Sequence, residues 1–186
     1  MFEELKSLYM EKATLVGCEV VALQDLKEAA KYIKEKTEGP LLVPDSTLCT
    51  RFGLKSLLQD TGVTLHEGSF REAGHLPAGG VTFSNFAIGE SGTIVLDSTP
   101  EEVRLATTIP EKYFVIVDPV TIVADGLGAV EAMTALHSGH EPRYVAYISG
   151  PSRTADIERV LTIGAHGPRE VHVLLIEGIS SDFMEN

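Results

Sequence analysis

The sequence predicts a three-layer α/β domain, Rossmann-like, built around a mostly parallel sheet. Three observations predict it. Short β-rich runs alternate with segments of helical periodicity along most of the chain, the order that produces right-handed βαβ units. The runs at 113–117 and 171–176 are continuously apolar rather than alternating, as strands covered on both faces are. The length of 186 residues, 44% of them hydrophobic, suits one core of this kind and no more. A single domain over residues 1–186 is expected, with an N-terminal helix over 1–16 and a frayed acidic tail over 181–186.

The elements follow in order. Residues 18–23 are β-rich, and 25–36 carry apolar positions at Leu26, Ala29, Ala30 and Ile33, a single helical stripe. Gly39-Pro40 stops that helix and Leu41-Leu42-Val43 reads as the next strand. Leu54, Leu57 and Leu58 share a helical face, Gly62 ends it, and Val63-Thr64-Leu65 reads as strand. Residues 70–80, with Gly74, Pro77, Gly79 and Gly80, read as a long loop. Strands are then expected at 92–96, 113–117, 144–148 and 171–176. Residues 120–136 read as helix, weakened by Gly126 and Gly128.

The composition excludes several function classes. A net charge of −12 repels phosphates and leaves no basic footprint, which speaks against nucleic-acid binding. Two cysteines, Cys18 and Cys49, are too few for an iron–sulfur cluster or a four-thiolate zinc site, and a core of this size needs no disulfide. His66, His75, His137 and His140 lack the spacing of helical zinc ligands, so no metal is expected. The start, Met1-Phe2-Glu3-Glu4, does not read as a leader, and the most apolar stretch, 113–124, is broken by Asp118-Pro119 short of the roughly 20 residues of a membrane span. A reduced, cytoplasmic protein without a membrane contact is expected. The glycine-rich fingerprints of dinucleotide and P-loop sites and the serine-hydrolase elbow are missing, and no cofactor is expected.

Two polar clusters carry the chemistry. In residues 84–93, glycines flank Glu90-Ser91 and run through Gly92-Thr93 into an apolar strand. Such glycines let backbone approach a ligand, and Glu90 can serve as nucleophile, base or acceptor. The same residues also make an ordinary tight turn between strands. The second cluster, Ser149-Gly150-Pro151-Ser152-Arg153-Thr154-Ala155-Asp156, follows the strand at 144–148. Read as a turn opening a helix, it offers free N–H groups and the Arg153 fork to a carboxylate or phosphate. Read as capping, Ser152 or Thr154 caps that helix and Asp156 complements its dipole. His166, between small residues, can be an acid/base or orienting group, whereas His172 inside a strand reads as a packed core histidine.

The two stretches at 86–96 and 148–158, the second continuing to His166-Gly167-Pro168 and Val171-His172-Val173, together resemble the LUD-domain family, lactate-utilisation proteins of the C type. The resemblance spans roughly 80–176. It implies a fold like that of the sugar-phosphate isomerase, deaminase and CoA-transferase group, and a part in oxidation of L-lactate to pyruvate beside partner subunits that hold iron–sulfur clusters. Lacking the cysteines for a cluster, this chain would be a non-redox, accessory or anion-binding component, with homo-oligomerisation open. Ser91, Gly92, Thr93, Gly150, Ser152, Arg153, Thr154, Asp156 and His166 would bind the ligand. Glu90-Ser91-Gly92 is similar to the setting of the nucleophilic glutamate in CoA-transferases, which gives a free-standing enzyme as the alternative.

Overall fold

A computed structural model describes residues 2–74, 77–139, 141–155, 161–164 and 166–185. In chain order the elements are α1 (Phe2–Leu15), β1 (Glu19–Ala22), α2 (Leu26–Lys36), β2 (Leu41–Leu42), α3 (Thr47–Phe52), α4 (Leu54–Asp60), β3 (Gly79–Phe83), β4 (Phe86–Ile88), β5 (Thr93–Asp97), α5 (Glu101–Thr108), β6 (Lys112–Val117), β7 (Ile122–Val123), α6 (Ala129–Leu136), β8 (Val145–Ile148), β9 (Arg153–Ala155), β10 (Leu161–Ile163) and β11 (Glu170–Leu175). His75, His140 and Asp156 lie outside the described residues.

The main sheet has the order β1-β11-β6-β3-β2 and every pairing in it is parallel. Its continuous apolar strands serve two cores. Phe114 and Ile116 of β6 face a cluster with Ala29, Ala30, Ile33, Leu48, Leu54 and Leu58 of α2, α3 and α4. Tyr113, Val115 and Val117 face the other way, onto Tyr9 and Ala13 of α1 and Val103 of α5. The helices form for local reasons as well. Asp25 caps α2 by accepting from the Lys27 and Glu28 N–H groups at 2.8 and 2.9 Å, while Glu28 reaches back to the Gln24 N–H.

A second sheet, order β7-β4-β5-β8, stands beyond α1 and contains antiparallel pairs β4–β5 and β5–β8 beside the parallel β4–β7. The strands at 92–96 and 144–148 therefore belong here and not to the parallel sheet. Four further expectations change. Gly79 and Gly80 open the interior strand β3 rather than a loop, because a Cβ at Gly80 would stand 1.9 Å from the Ala106 carbonyl oxygen and only glycine lets α5 cross so close. Residues 120–136 divide into a 3-10 turn, β7 and α6, since the Val123 and Ala124 carbonyls accept the Gly89 and Glu90 N–H groups at 2.8 and 2.9 Å. Residues 63–65 contribute only one bridge, Leu65 to Leu41. Residues 153–155 are extended, paired antiparallel with β10, where a helix start is expected.

Residues 181–185, expected to fray, carry several contacts. The Asn85 amide donates to the Phe183 carbonyl at 2.8 Å, Phe183 meets Phe86 edge-to-face at 6.0 Å, and Arg51 pairs with Glu185. Among the described residues no helix is long and apolar enough to cross a membrane.

Candidate functional site

Helix α1 brings the two polar clusters together. The turn between β4 and β5 lies along it: Gly92, at φ +62°, sits so close that an added Cβ would be 2.3 Å from the Ala13 nitrogen. The turn after β8 reaches the helix end, where a Cβ on Gly150 (φ +81°) would be 2.2 Å from the Val16 oxygen. Both glycines thus admit the backbone of α1, where the sequence suggested a ligand.

Between the two turns runs a chain of hydroxyls. Because β5 and β8 pair with Ile94 opposite Ile148, Thr93 and Ser149 face each other, and their oxygens lie 2.8 Å apart. Ser91 Oγ is 2.7 Å from Thr93 Oγ1, and Thr93 itself is buried. Glu90 is exposed on the same turn. Arg153 is occupied elsewhere: its Nη2 donates to the Val16 carbonyl at 2.6 Å, placing a cation on the C-terminal end of α1. Neither Glu90 nor Arg153 lines any of five well-formed cavities among the described residues.

The largest of these five cavities, 840 Å³, opens at the amino ends of the parallel strands, lined among others by Glu38 before β2, Pro77 and Ala78 before β3, Glu111 before β6 and Arg169 before β11. His166 and Gly167 reach it. Ser152 supports that rim, its hydroxyl donating to the His166 carbonyl and its N–H to the Pro168 carbonyl, both at 2.9 Å. Thr154 lies in β9, in register with Thr162. Arg169 is 3.3 Å from Glu111, so among the described lining residues two acids and one paired arginine give no excess of positive charge for an anion.

The opposite ends of the strands present a different group, which sequence reasoning passed over. Asp118, just after β6, is buried and accepts the Val120 N–H at 3.0 Å and the Ile179 and Ser180 N–H groups at 2.7 and 3.1 Å. Asn85, just beyond β3, donates to the Phe183 carbonyl and accepts the Asp97 N–H at 2.6 Å. Arg51 of α3 grips Glu185 with both terminal nitrogens. The only local hint was Asp118-Pro119 closing an apolar run.

The cysteines are free and buried in separate cores, Cys49 with the α2–α4 side of the sheet and Cys18 with the α1 side. Burial pushes the Cys18 thiol up to about 11, partly opposed by the Gly150 N–H and the nearby Arg153. Among the described residues no group of three His, Cys, Asp or Glu is placed to hold a metal ion.

A five-stranded parallel sheet with helices on one face, and two helices and a smaller sheet on the other, defines an α/β protein of the layered class. Residues 7–176 match the family model of the LUD domain, and the chain belongs to that family. It is 28% identical to lactate utilization protein C of Geobacillus thermodenitrificans over 94% of this chain and 79% of that protein. It is 30% identical to lactate utilization protein C of Bacillus licheniformis over 88% of this chain and 72% of that one. A crystal structure of a DUF162 family protein from Deinococcus radiodurans has the same fold, with a TM-score of 0.69 at 19% identity over 95% of this chain and 98% of that one.

Proposed function

We propose that this chain serves the utilisation of L-lactate as a cytoplasmic, non-redox component that binds a small anionic ligand and works beside iron–sulfur subunits. The observation that carries this reading is the match to proteins named lactate utilization protein C across 88–94% of the chain. The chemistry of the chain is consistent with the non-redox part. Its two thiols lie in separate cores, and burial raises both, that of Cys18 to about 11, so neither is presented as a thiolate ligand. The test is growth on L-lactate as sole carbon source. Deletion of the gene is expected to abolish growth and the full chain to restore it; normal growth of the deletion strain would overturn the reading.

A second reading is an enzyme on the CoA-transferase scaffold with Glu90 as nucleophile or base. It is favoured by the exposure of Glu90 beside the Ser91–Thr93–Ser149 hydroxyl chain. There Ser91, Thr93 and the neighbouring backbone would hold the substrate. Turnover of acyl-CoA or sugar-phosphate substrates lost in Glu90→Gln would support it, and turnover equal to the wild type would remove it.

A further inference from the structure

The segment 177–185 begins where the family match ends, at residue 176, and it folds over the carboxyl ends of β6 and β3. In open α/β sheets that crevice is where ligands bind. Here a part of the chain itself fills it. Asp118 holds the segment at Ile179 and Ser180, and the Asn85 amide holds it at the Phe183 carbonyl and, at 3.3 Å, at the Glu185 carbonyl. At its far end the Glu185 carboxylate receives Arg51 Nη1 at 2.7 Å on one oxygen and Nη2 on the other, with the Ser180 hydroxyl donating at 2.6 Å.

Two parallel N–H groups of one guanidinium on the two oxygens of one carboxylate form a fork that any carboxylate can enter. An ion pair this close to solvent contributes little to folding, so exchanging one carboxylate for another costs little. We propose that Arg51 is the binding site for the carboxylate of a small organic acid, and that Glu185 occupies it until such a ligand displaces the Glu185 carboxylate and frees residues 183–185. The charge around the site selects a monocarboxylate over a phosphate dianion, because Asp182 also lies within the field of Arg51 and would repel a second negative charge. This deepens the proposed reading by giving its anionic ligand a place, and it requires neither Glu90 nor Arg153.

The experiment is calorimetric titration of the full chain with L-lactate, acetate and inorganic phosphate. If Glu185 fills the fork about nine-tenths of the time, Glu185→Gln tightens lactate and acetate binding about tenfold. Arg51→Gln abolishes it, Arg51→Lys retains a weakened form without the fork, and phosphate does not compete. Added lactate also speeds proteolytic cleavage within 183–185. Equal affinity in Glu185→Gln and wild type, unchanged binding in Arg51→Gln, or no binding to Glu185→Gln would each overturn the proposal. Unfolding curves of the Arg51 variants that overlay the wild type show that lost binding is not lost fold. The growth test of the deletion strain is separate: if that strain grows on lactate while Arg51 still governs acetate binding, the site stands and the lactate assignment falls.

Discussion

Arg153 Nη2 donates to the Val16 carbonyl at 2.6 Å, which ties the start of β9 to the last turn of α1. Helix carbonyls at a C-terminus lack intrahelical partners and carry partial negative charge, so this guanidinium both satisfies an acceptor and complements the dipole. Arg153→Gln is therefore expected to lower stability by about 0.5–1 kcal/mol, a drop of roughly 1–4 °C in Tm for a chain of this size. Glu90→Gln, exposed on its turn, should leave Tm unchanged. Differential scanning calorimetry decides it: an Arg153→Gln protein as stable as the wild type would show that the contact holds nothing.

The glycines under α1 make a stronger claim. Gly150 combines a φ of +81° with a Cβ position 2.2 Å from the Val16 oxygen, and Gly92 combines +62° with 2.3 Å from the Ala13 nitrogen. Alanine at either position meets left-handed strain of about 1 kcal/mol and an overpacking cost of about 1–3 kcal/mol, because the obstacle is backbone and cannot rotate away. Gly62→Ala makes the control, with φ +80° but open space around its Cβ position, so it bears the strain alone. Urea midpoints should fall in the order Gly62→Ala, then Gly92→Ala and Gly150→Ala lowest. Equal midpoints for all three would mean that α1 shifts freely.

Strands at 113–117 and 171–176 could be read from the sequence because burial on both faces leaves its mark in every residue. The strand at 79–83 could not. Its Gly79-Gly80 pair mimics a loop, and the reason for it, the Ala106 carbonyl crossing overhead, is 26 residues away in the chain. Residues 152–155 fail for a related reason. Ser, Arg and Thr after a Gly-Pro turn suit a helix cap as well as a hairpin, and the pairing of β9 with β10 decides between them. At the site, the hydroxyls of Ser91 and Thr93 were visible as a local cluster. The Arg51–Glu185 fork was not, since its halves stand 134 residues apart and neither has a distinctive neighbour.

Tyr9 presents an unusual polar group. Its ring is fully buried beneath the second sheet, and its hydroxyl finds no hydrogen-bond partner among the described residues. An orphaned buried hydroxyl costs about 1–3 kcal/mol relative to a paired one, so Tyr9→Phe removes a penalty while keeping the ring. Stability should rise by up to about 1 kcal/mol in urea denaturation at unchanged slope. Tyr113→Phe should do the reverse. The Tyr113 hydroxyl lies 2.7 Å from the buried Thr82 hydroxyl, and its removal strands that partner. If Tyr9→Phe proves destabilising, the Tyr9 hydroxyl has a partner in solution.

His172 makes folding sensitive to acid. It is fully buried in β11, stacked on Phe114 at 4.6 Å, with Nδ1 2.9 Å from the Tyr32 hydroxyl and Nε2 3.2 Å from Glu170. Glu19 on β1 and Glu170 favour its proton, while Lys36 on α2 opposes it. Burial outweighs the two acids and holds its pKa below the usual 6.5. The native protein thus keeps a neutral ring where the unfolded chain takes up a proton. Stability must fall as pH drops through 6.5, by up to about 1.4 kcal/mol per pH unit, and the loss continues until the lowered native pKa is reached. Glu19, held below its ordinary value by Lys36, adds loss in the same direction below about 4.5. Glu170 adds to it, since hydrogen bonds from Lys112 and His172 overcome the opposing effect of its burial. His172→Gln and His172→Phe should therefore remove the part of the pH dependence that begins near 6.5 and leave the carboxylate part. Urea midpoints measured from pH 4 to 8 test this, and a variant that keeps the wild-type slope between pH 6.5 and 5 would assign that slope to another group.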